Sequence, residues 1–400
     1  MRKEDFVEPV LGELVASPQG VLAHVPPPLP PALNFDAGLV RALSGADARL
    51  SELSGMARQL PNPNLLIAPY MRQEAVLSSR IEGTQASLSD LFEEELRQAD
   101  TQPANADATE VRNYVSALEY GAARLAELPL SLRLVRELHE RLMHGVRGGD
   151  RNPGQFRQHQ NFIGVRGSRI ETATFVPPPP DRLPACLDAW ERFLHERNEL
   201  PDLVQCALMH AQFETLHPFA DGNGRVGRLL VTLFLIERER LRQPLLYLSA
   251  YIEANKAEYY ERLQRTRTHG DWRGWLRYFL MGVEITARMA AGQVTALIDL
   301  RERYRARFHT QGGVLALIDA LFRNPITDAR QAARAMNKSD PTARAAIAAL
   351  VGAGWLHEAT GRQWGRWYVA HEVLDLLLKP DRDLRAPQIV EEGAPPRSAN

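Results

Sequence analysis

One short stretch, His217-Pro-Phe-Ala-Asp-Gly-Asn-Gly-Arg-Val-Gly-Arg228, constrains this chain more than any other. It crowds a histidine, a carboxylate, three glycines and two arginines into a single turn and runs straight into Leu229-Leu-Val-Thr-Leu-Phe-Leu-Ile236, which is apolar nearly all round. A helix of that kind must be covered on every side, so the turn belongs inside a helical bundle. The preceding helix starts at Pro201 and carries Leu208, Met209, Phe213 and Leu216 as core positions, with His210 reading as structural. The turn is therefore wrapped by buried helices on both sides.

Its chemistry follows from the residue types. A helix N-terminus offers unpaired N–H groups and partial positive charge, and Gly222, Gly224 and Gly227 permit close backbone approach, so a phosphate chain fits there. Arg225 and Arg228 would add guanidinium forks. Asp221 is a hard oxygen ligand beside those phosphates, suited to Mg²⁺ shared with a nucleotide. His217, with an ordinary pKa of about 6.5, could take a proton from a hydroxyl at neutral pH. The bland alternative is a capped surface turn with two solvated arginines, and it requires all of these groups to coincide by accident.

The string resembles the signature of the Fic family, HxFx(D/E)GNGRxxR, at every specified position: His217, Phe219, Asp221, Gly222, Asn223, Gly224, Arg225 and Arg228. The resemblance implies a nucleotidyl transferase that moves AMP from ATP to a Ser, Thr or Tyr hydroxyl of a protein. His217 would be the base, Asp221 the Mg²⁺ ligand, and the loop Gly222, Asn223, Gly224, Arg225, Val226, Gly227 and Arg228 the phosphate cradle. Upstream, Ser78 and Glu82 stand four apart on one helix face before Gly83. Taken alone, Glu82 is a solvated carboxylate near a helix end. The stretch Ser78-Ser-Arg-Ile-Glu82-Gly83 is similar to the inhibitory pattern (S/T)xxxE(G/N) of part of the family, which implies that Glu82 pairs with Arg228 and removes it from the γ-phosphate of ATP.

The remaining chain falls into place around this pair. Residues 1 to about 35 read as an irregular arm ending in Val25-Pro-Pro-Pro-Leu-Pro-Pro31, expected to lie on the body of the protein. A helix covers 36–60, another 71–81, and Ser87-Leu-Ser-Asp90 opens a third. Residues 99–107 read as a linker. Helices with inward apolar stripes follow, over 111–125 and 131–145. From Gly154 to Pro180 short β-like runs predict a hairpin; by resemblance it is the flap that registers a target strand, with Asn161, Phe162, Ile163 and Gly164 nearest nucleotide and target. His159 there reads as a surface residue. Tyr259 and Tyr260 lie, by resemblance, beside adenine and ribose, and Arg267 faces the same way as Tyr260; as bare sequence, two adjacent tyrosines read as one core and one rim residue. From Gln311, helices at 314–322, 328–336 and 341–351 followed by a hairpin at 355–370 give the order of a winged helix.

The expected class is thus mainly α, a Fic-type bundle with a β-hairpin flap and a C-terminal winged-helix domain. Its expected divisions are an arm and inhibitory helices over 1–107, a catalytic core over 108–310, the winged helix over 311–378, and a disordered tail over 379–400. ATP and Mg²⁺ are the expected substrate and cofactor, and a protein hydroxyl, the chain's own included, is the acceptor. A homodimer is a further expected partner state. DNA contact through the winged helix would rest on few groups, Arg344 on the third segment and Arg362 and Arg366 on the wing. Alternative functions are a nucleotide-sensing DNA-binding regulator, removal of AMP, and transfer of another nucleotide. Lys plus Arg at 48 against Asp plus Glu at 49 gives no net field to draw nucleic acid or membrane. No run approaches the roughly 18 apolar residues of a span, the first residues lack the apolar core of a secretion signal, and Cys186 and Cys206 read as free thiols, so a cytoplasmic location is expected.

Overall fold

A computed structural model describes residues 1–7, 11–56, 64–85, 87–97, 106–146, 149, 151–165, 167–197, 199–361, 365–378 and 384. The linker expected at 99–107 lies mostly outside the described residues, as do Arg362 and nearly all of the 379–400 tail. Where an irregular arm was expected, strands β1 (Glu13–Ala16) and β2 (Leu22–Val25) pair antiparallel, Glu13 opposite Val25, around a turn in which Gly20 takes φ +76°. Four-residue strands are too short to announce themselves by alternation beside a run of prolines. The proline-rich piece after them does lie on the body: Gln212 Nε2 donates to Pro27 O at 2.9 Å, and Leu29 and Leu33 pack on the core.

Helices α1 (Ala37–Met56), α2 (Asn64–Ile81), α3 (Leu88–Arg97), α4 (Ala106–Arg124) and α5 (Leu132–Leu142) follow. α2 starts earlier than its apolar spacing suggests and ends where Gly83 takes φ +97°, a left-handed turn that favours glycine. Ser131 caps α5 by accepting from Leu134 N–H. Next come α6 (Leu183–His195), α7 (Asp202–Leu216), α8 (Asn223–Glu237), α9 (Ser249–Ala254), α10 (Lys256–His269) and α11 (Trp272–Arg307). Pro184 sits in the first turn of α6, where its missing N–H costs nothing, and Asp271 caps α11 by accepting from Gly274 N–H at 2.9 Å.

α7 is the centre of the bundle. Every residue from Leu203 to Leu216 is buried, and α6, α8, α10 and α11 surround it. Trp190 of α6 seals one side, its ring fully buried and its Nε1 donating to Met209 O at 3.0 Å. Trp190→Ala is expected to lower unfolding stability by about 3–5 kcal/mol, read as a shifted urea midpoint, because it leaves both a cavity and an unpaired carbonyl. α11 is the long spine: α1 packs along it, so the N-terminal helices and the core share one apolar interior.

The C-terminal unit is α12 (Gly312–Arg323), β3 (Ile326–Thr327), α13 (Ala329–Met336), α14 (Asp340–Gly352), β4 (His357–Glu358), β5 (Tyr368–Val369) and α15 (His371–Leu378), with an antiparallel sheet in the order β3-β5-β4. The three helices and the β4–β5 pair follow the order read from the sequence, and the structure adds β3 and α15, which that reading did not include. α12 packs on α2 as well as α11, and Trp355 stacks on Tyr304 of α11 at 3.9 Å between centroids. The unit is therefore seated on the same helix that leads to Glu82. Among the described residues no helix is long and apolar enough to cross a membrane.

Candidate active site

The site forms where α7 ends, α8 begins and α2 arrives. α8 starts at Asn223 after Gly222, which takes φ +76° and makes no side-chain cap; its first intrahelical bond is Val226 N–H to Gly222 O, at 3.1 Å. The N–H groups of residues 223 to 225 therefore face outward at a positive helix end. Asn223 holds the loop shut from inside: its Oδ1 accepts from Phe219 N–H at 2.8 Å and its Nδ2 donates to Phe219 O at 2.9 Å. Asp221 Oδ1 accepts from Gly222 N–H at 2.7 Å. Gly227 lies where α7 and α8 nearly touch; a Cβ there would come within 2.4 Å of Glu214 Oε1.

Arg228 and Glu82 meet. Arg228 Nη2 donates to Glu82 Oε1 at 2.8 Å and to Ser78 O at 2.9 Å, and its Nε donates to Ser78 Oγ at 2.9 Å. Ser78 is fully buried, whereas the Glu82 side chain keeps 37% of its exposure. The carboxylate also presses on the first turn of α8: a Cβ on Gly224 would lie 2.2 Å from Glu82 Oε1. Burial alone would raise the Glu82 carboxyl, but Arg228, with its hydrogen bond, and Arg225 behind it hold the group below the usual carboxylate range. Arg228 stays firmly charged, since Glu82, Tyr259 and Glu214 outweigh the cost of its burial.

His217 ends α7 in a left-handed conformation, φ +46° and ψ +59°. Its ring is half-buried, with Nδ1 enclosed and without a hydrogen-bond partner among the described residues. Burial first, then the charges of Arg267 and Arg157, push it well below its ordinary value of 6.5, so the imidazole is neutral at neutral pH. Asn161 Nδ2 donates to His217 O at 3.1 Å and Phe219 O at 3.0 Å, tying the flap segment to the loop. The two arms of the expected hairpin come together at a single bridged pair, Ile163 with Phe175. Phe162 packs on a small cluster of Ala23, Ala173 and Val176, and Gly164 is exposed.

The tyrosines divide as core and rim. Tyr259 is buried and its hydroxyl meets His210 Nε2 at 2.8 Å, while His210 Nδ1 meets Gly227 O at 3.0 Å. A carbonyl only accepts, so Nδ1 carries the proton and Nε2 accepts from the tyrosine; burial holds the ring neutral, with its pKa lowered to about 4. Tyr260 is 45% exposed. Arg267 is buried and committed to α7, donating from Nη2 to Glu214 O and from Nε to Thr215 Oγ1, both at 3.1 Å. Arg225, expected at the phosphates, is buried beside Glu110, Nη1 to Oε2 3.5 Å, and its Nη2 faces Met143 Sδ at 3.4 Å. Val226 is buried in the core.

Several contributors were invisible in the sequence. Glu110 also accepts from Thr84 Oγ1 at 2.7 Å, just beyond Gly83. Glu74, one turn before Ser78, anchors α2 by accepting from Ser249 N–H at 3.1 Å, from Ser249 Oγ and from Tyr114 OH at 3.2 Å; burial raises its pKa to about 7. His139 stacks flat on Phe219 at 3.7 Å, accepts from Gly154 N–H at Nδ1 and donates from Nε2 to Asp221 O. A polar residue on an apolar helix stripe was the only signal available for Glu74 and His139. Among the described residues no group of three or more His, Cys, Asp or Glu side chains could hold a metal ion by itself.

The match to known proteins agrees with this geometry. A Fic/DOC family N-terminal profile matches residues 40–123 and a Fic/DOC family profile matches residues 129–235. The chain is 27% identical over 209 residues to "Protein adenylyltransferase Fic" of Drosophila grimshawi, covering 51% of this chain and 39% of that protein. It is 36% identical over 88 residues to a "Probable protein adenylyltransferase" of Aquifex aeolicus, covering 21% of this chain and 28% of that one. The matched regions thus span well under half the length of these curated relatives. A solved Fic family protein from Desulfovibrio desulfuricans shares the fold, with a TM-score of 0.55 over 86% of this chain and 98% of that chain at 22% identity. With its helical architecture and two adjacent family matches across residues 40–235, the chain belongs to the Fic/DOC family.

Proposed function

We propose that this protein moves AMP from ATP to a Ser, Thr or Tyr hydroxyl of a protein, its own chain among the candidates, and that Glu82 holds the activity back through Arg228. The position of the Glu82 carboxylate carries this reading. It bonds a buried guanidinium and lies against Gly224, so a carboxylate already occupies the spot where uncapped N–H groups and Arg228 would attract the terminal phosphate of a nucleotide. The names of the curated relatives, protein adenylyltransferases, support the same chemistry.

With the carboxylate swung aside, Arg228 takes the γ-phosphate and the N–H groups of residues 223 to 225 take the rest of the chain. Neutral His217 accepts the proton of the target hydroxyl as its oxygen bonds the α-phosphorus; the bond from that phosphorus to the bridging oxygen breaks, and pyrophosphate leaves with the electron pair. Mg²⁺, when bound, neutralises the phosphates. Asp221 is the residue to hold it, and one carboxylate suits an ion that draws its other ligands from phosphate and water. Exposed Tyr260 offers a face to the nucleoside, whereas Tyr259 supports it from the core. Residues 161–164 present the backbone edge on which a target strand would dock.

Two forms of ATP test the reaction. Label on the α-phosphate is expected to remain on protein, and label on the γ-phosphate is expected to leave with pyrophosphate. Transfer of the γ-label instead would overturn the reading in favour of a kinase.

A further inference from the structure

Arg157 is buried in the loop between α5 and α6, 7% exposed, and the partners of its guanidinium are all backbone carbonyls. Its Nε donates to His217 O at 2.9 Å, its Nη2 to Leu216 O at 3.3 Å and Pro178 O at 2.6 Å, and its Nη1 to His159 O at 3.3 Å. Its own N–H donates to Pro218 O at 2.9 Å. The last carbonyls of a helix lack intrahelical partners and carry partial negative charge, so a buried cation there satisfies both needs. The same carbonyl of His217 also receives Asn161. A left-handed residue at a helix end is ordinarily glycine; a histidine stays there only when its surroundings over-determine it.

We propose that Arg157 is a positioning residue for His217: its planar fork fixes the base in its left-handed backbone conformation and joins the catalytic loop to both arms of the flap, through His159 and Pro178. This rests on the function proposed above. Arg267 grips the same last turn of α7, at Glu214 O and Thr215 Oγ1, so two cations hold the helix end. The purpose is geometric. Arg157 touches none of the groups assigned to the nucleotide, so its loss should misplace the base without weakening ATP binding.

The test uses the full chain in the Glu82→Gly background, comparing Arg157→Met and Arg157→Lys with their parent. Transfer of α-label at saturating ATP is expected to fall about a hundredfold in Arg157→Met, with KM for ATP moving no more than about threefold. Arg157→Lys keeps a charge but not the fork, and is expected to restore little. Equal kcat in parent and both variants, or a loss confined to KM, overturns the inference while leaving the transferase reading intact. A parent that transfers no α-label sinks that reading instead. The inference then stands or falls on ¹⁵N-histidine spectra, in which the His217 ring signals, assigned by their loss in His217→Ala, are expected to move in Arg157→Lys; unmoved signals overturn it. If Arg157→Met lacks the parent's thermal transition, the comparison passes to Arg157→Lys on both readouts.

Discussion

Glu82→Gly protein is expected to transfer α-label from ATP roughly tenfold faster than the wild type. The clamp is a charge-assisted bond, and the 37% exposure of the Glu82 side chain trims it toward about 1.5 kcal/mol, close to one factor of ten. The substitution falls next to Gly83, beyond the last turn of α2, so Ser78 still holds Arg228 in place by its hydroxyl and carbonyl and the fold should be unaffected. Proton uptake should not mimic the substitution. The Glu82 carboxyl is held below the usual carboxylate range, so its ion pair persists above the ordinary carboxylate pKa and is lost only as pH falls through the lowered value. The gain from Glu82→Gly is therefore expected to stay constant between about pH 8 and about pH 6. A gain that shrinks over that window would mean that something other than this ion pair restrains the enzyme.

His217→Ala in the same background is expected to lower transfer by about 10²- to 10⁴-fold, the usual contribution of a positioned base. Binding of ATP, followed by calorimetry, should persist, because the phosphate groups are assigned to the start of α8 and to Arg228. The α7 terminus is held by Arg157, Asn161 and Arg267 through backbone atoms, so alanine can take the same place. Undiminished transfer would remove His217 from the mechanism.

The sequence exposed those parts of the site whose geometry is local. From His217 to Arg228 all spacings are set by one turn and one helix start, and Ser78 and Glu82 share a face by helical period alone. Even the pairing of Glu82 with Arg228, 146 residues apart, was legible through the resemblance of both stretches to one family. Arg157, Glu110, Glu74 and His139 were not. Each acts across a tertiary contact, and in sequence a lone arginine reads as a solvated charge and a lone glutamate on a stripe as an exception. Arg225, expected at the phosphates from its place in the motif, also stands beside Glu110 of another helix, a neighbour that the motif does not reveal. The opening hairpin escaped for a different reason, since two four-residue strands gain their partner only by meeting each other and the flap.

That meeting bears on how a target would be read. Phe175 spends its N–H and C=O on Ile163, and the opposite side of the same segment is taken, Val176 O by His24 N–H and Thr174 O by Gln264. Phe162 and Gly164 flank this pair with backbone groups that have no backbone partner among the described residues. Under the proposed docking, an incoming strand would find a ruler one rung long among the described residues. If a target docks here as proposed, so short a ladder would set the distance of its hydroxyl from His217 and would add little to the choice among peptide sequences.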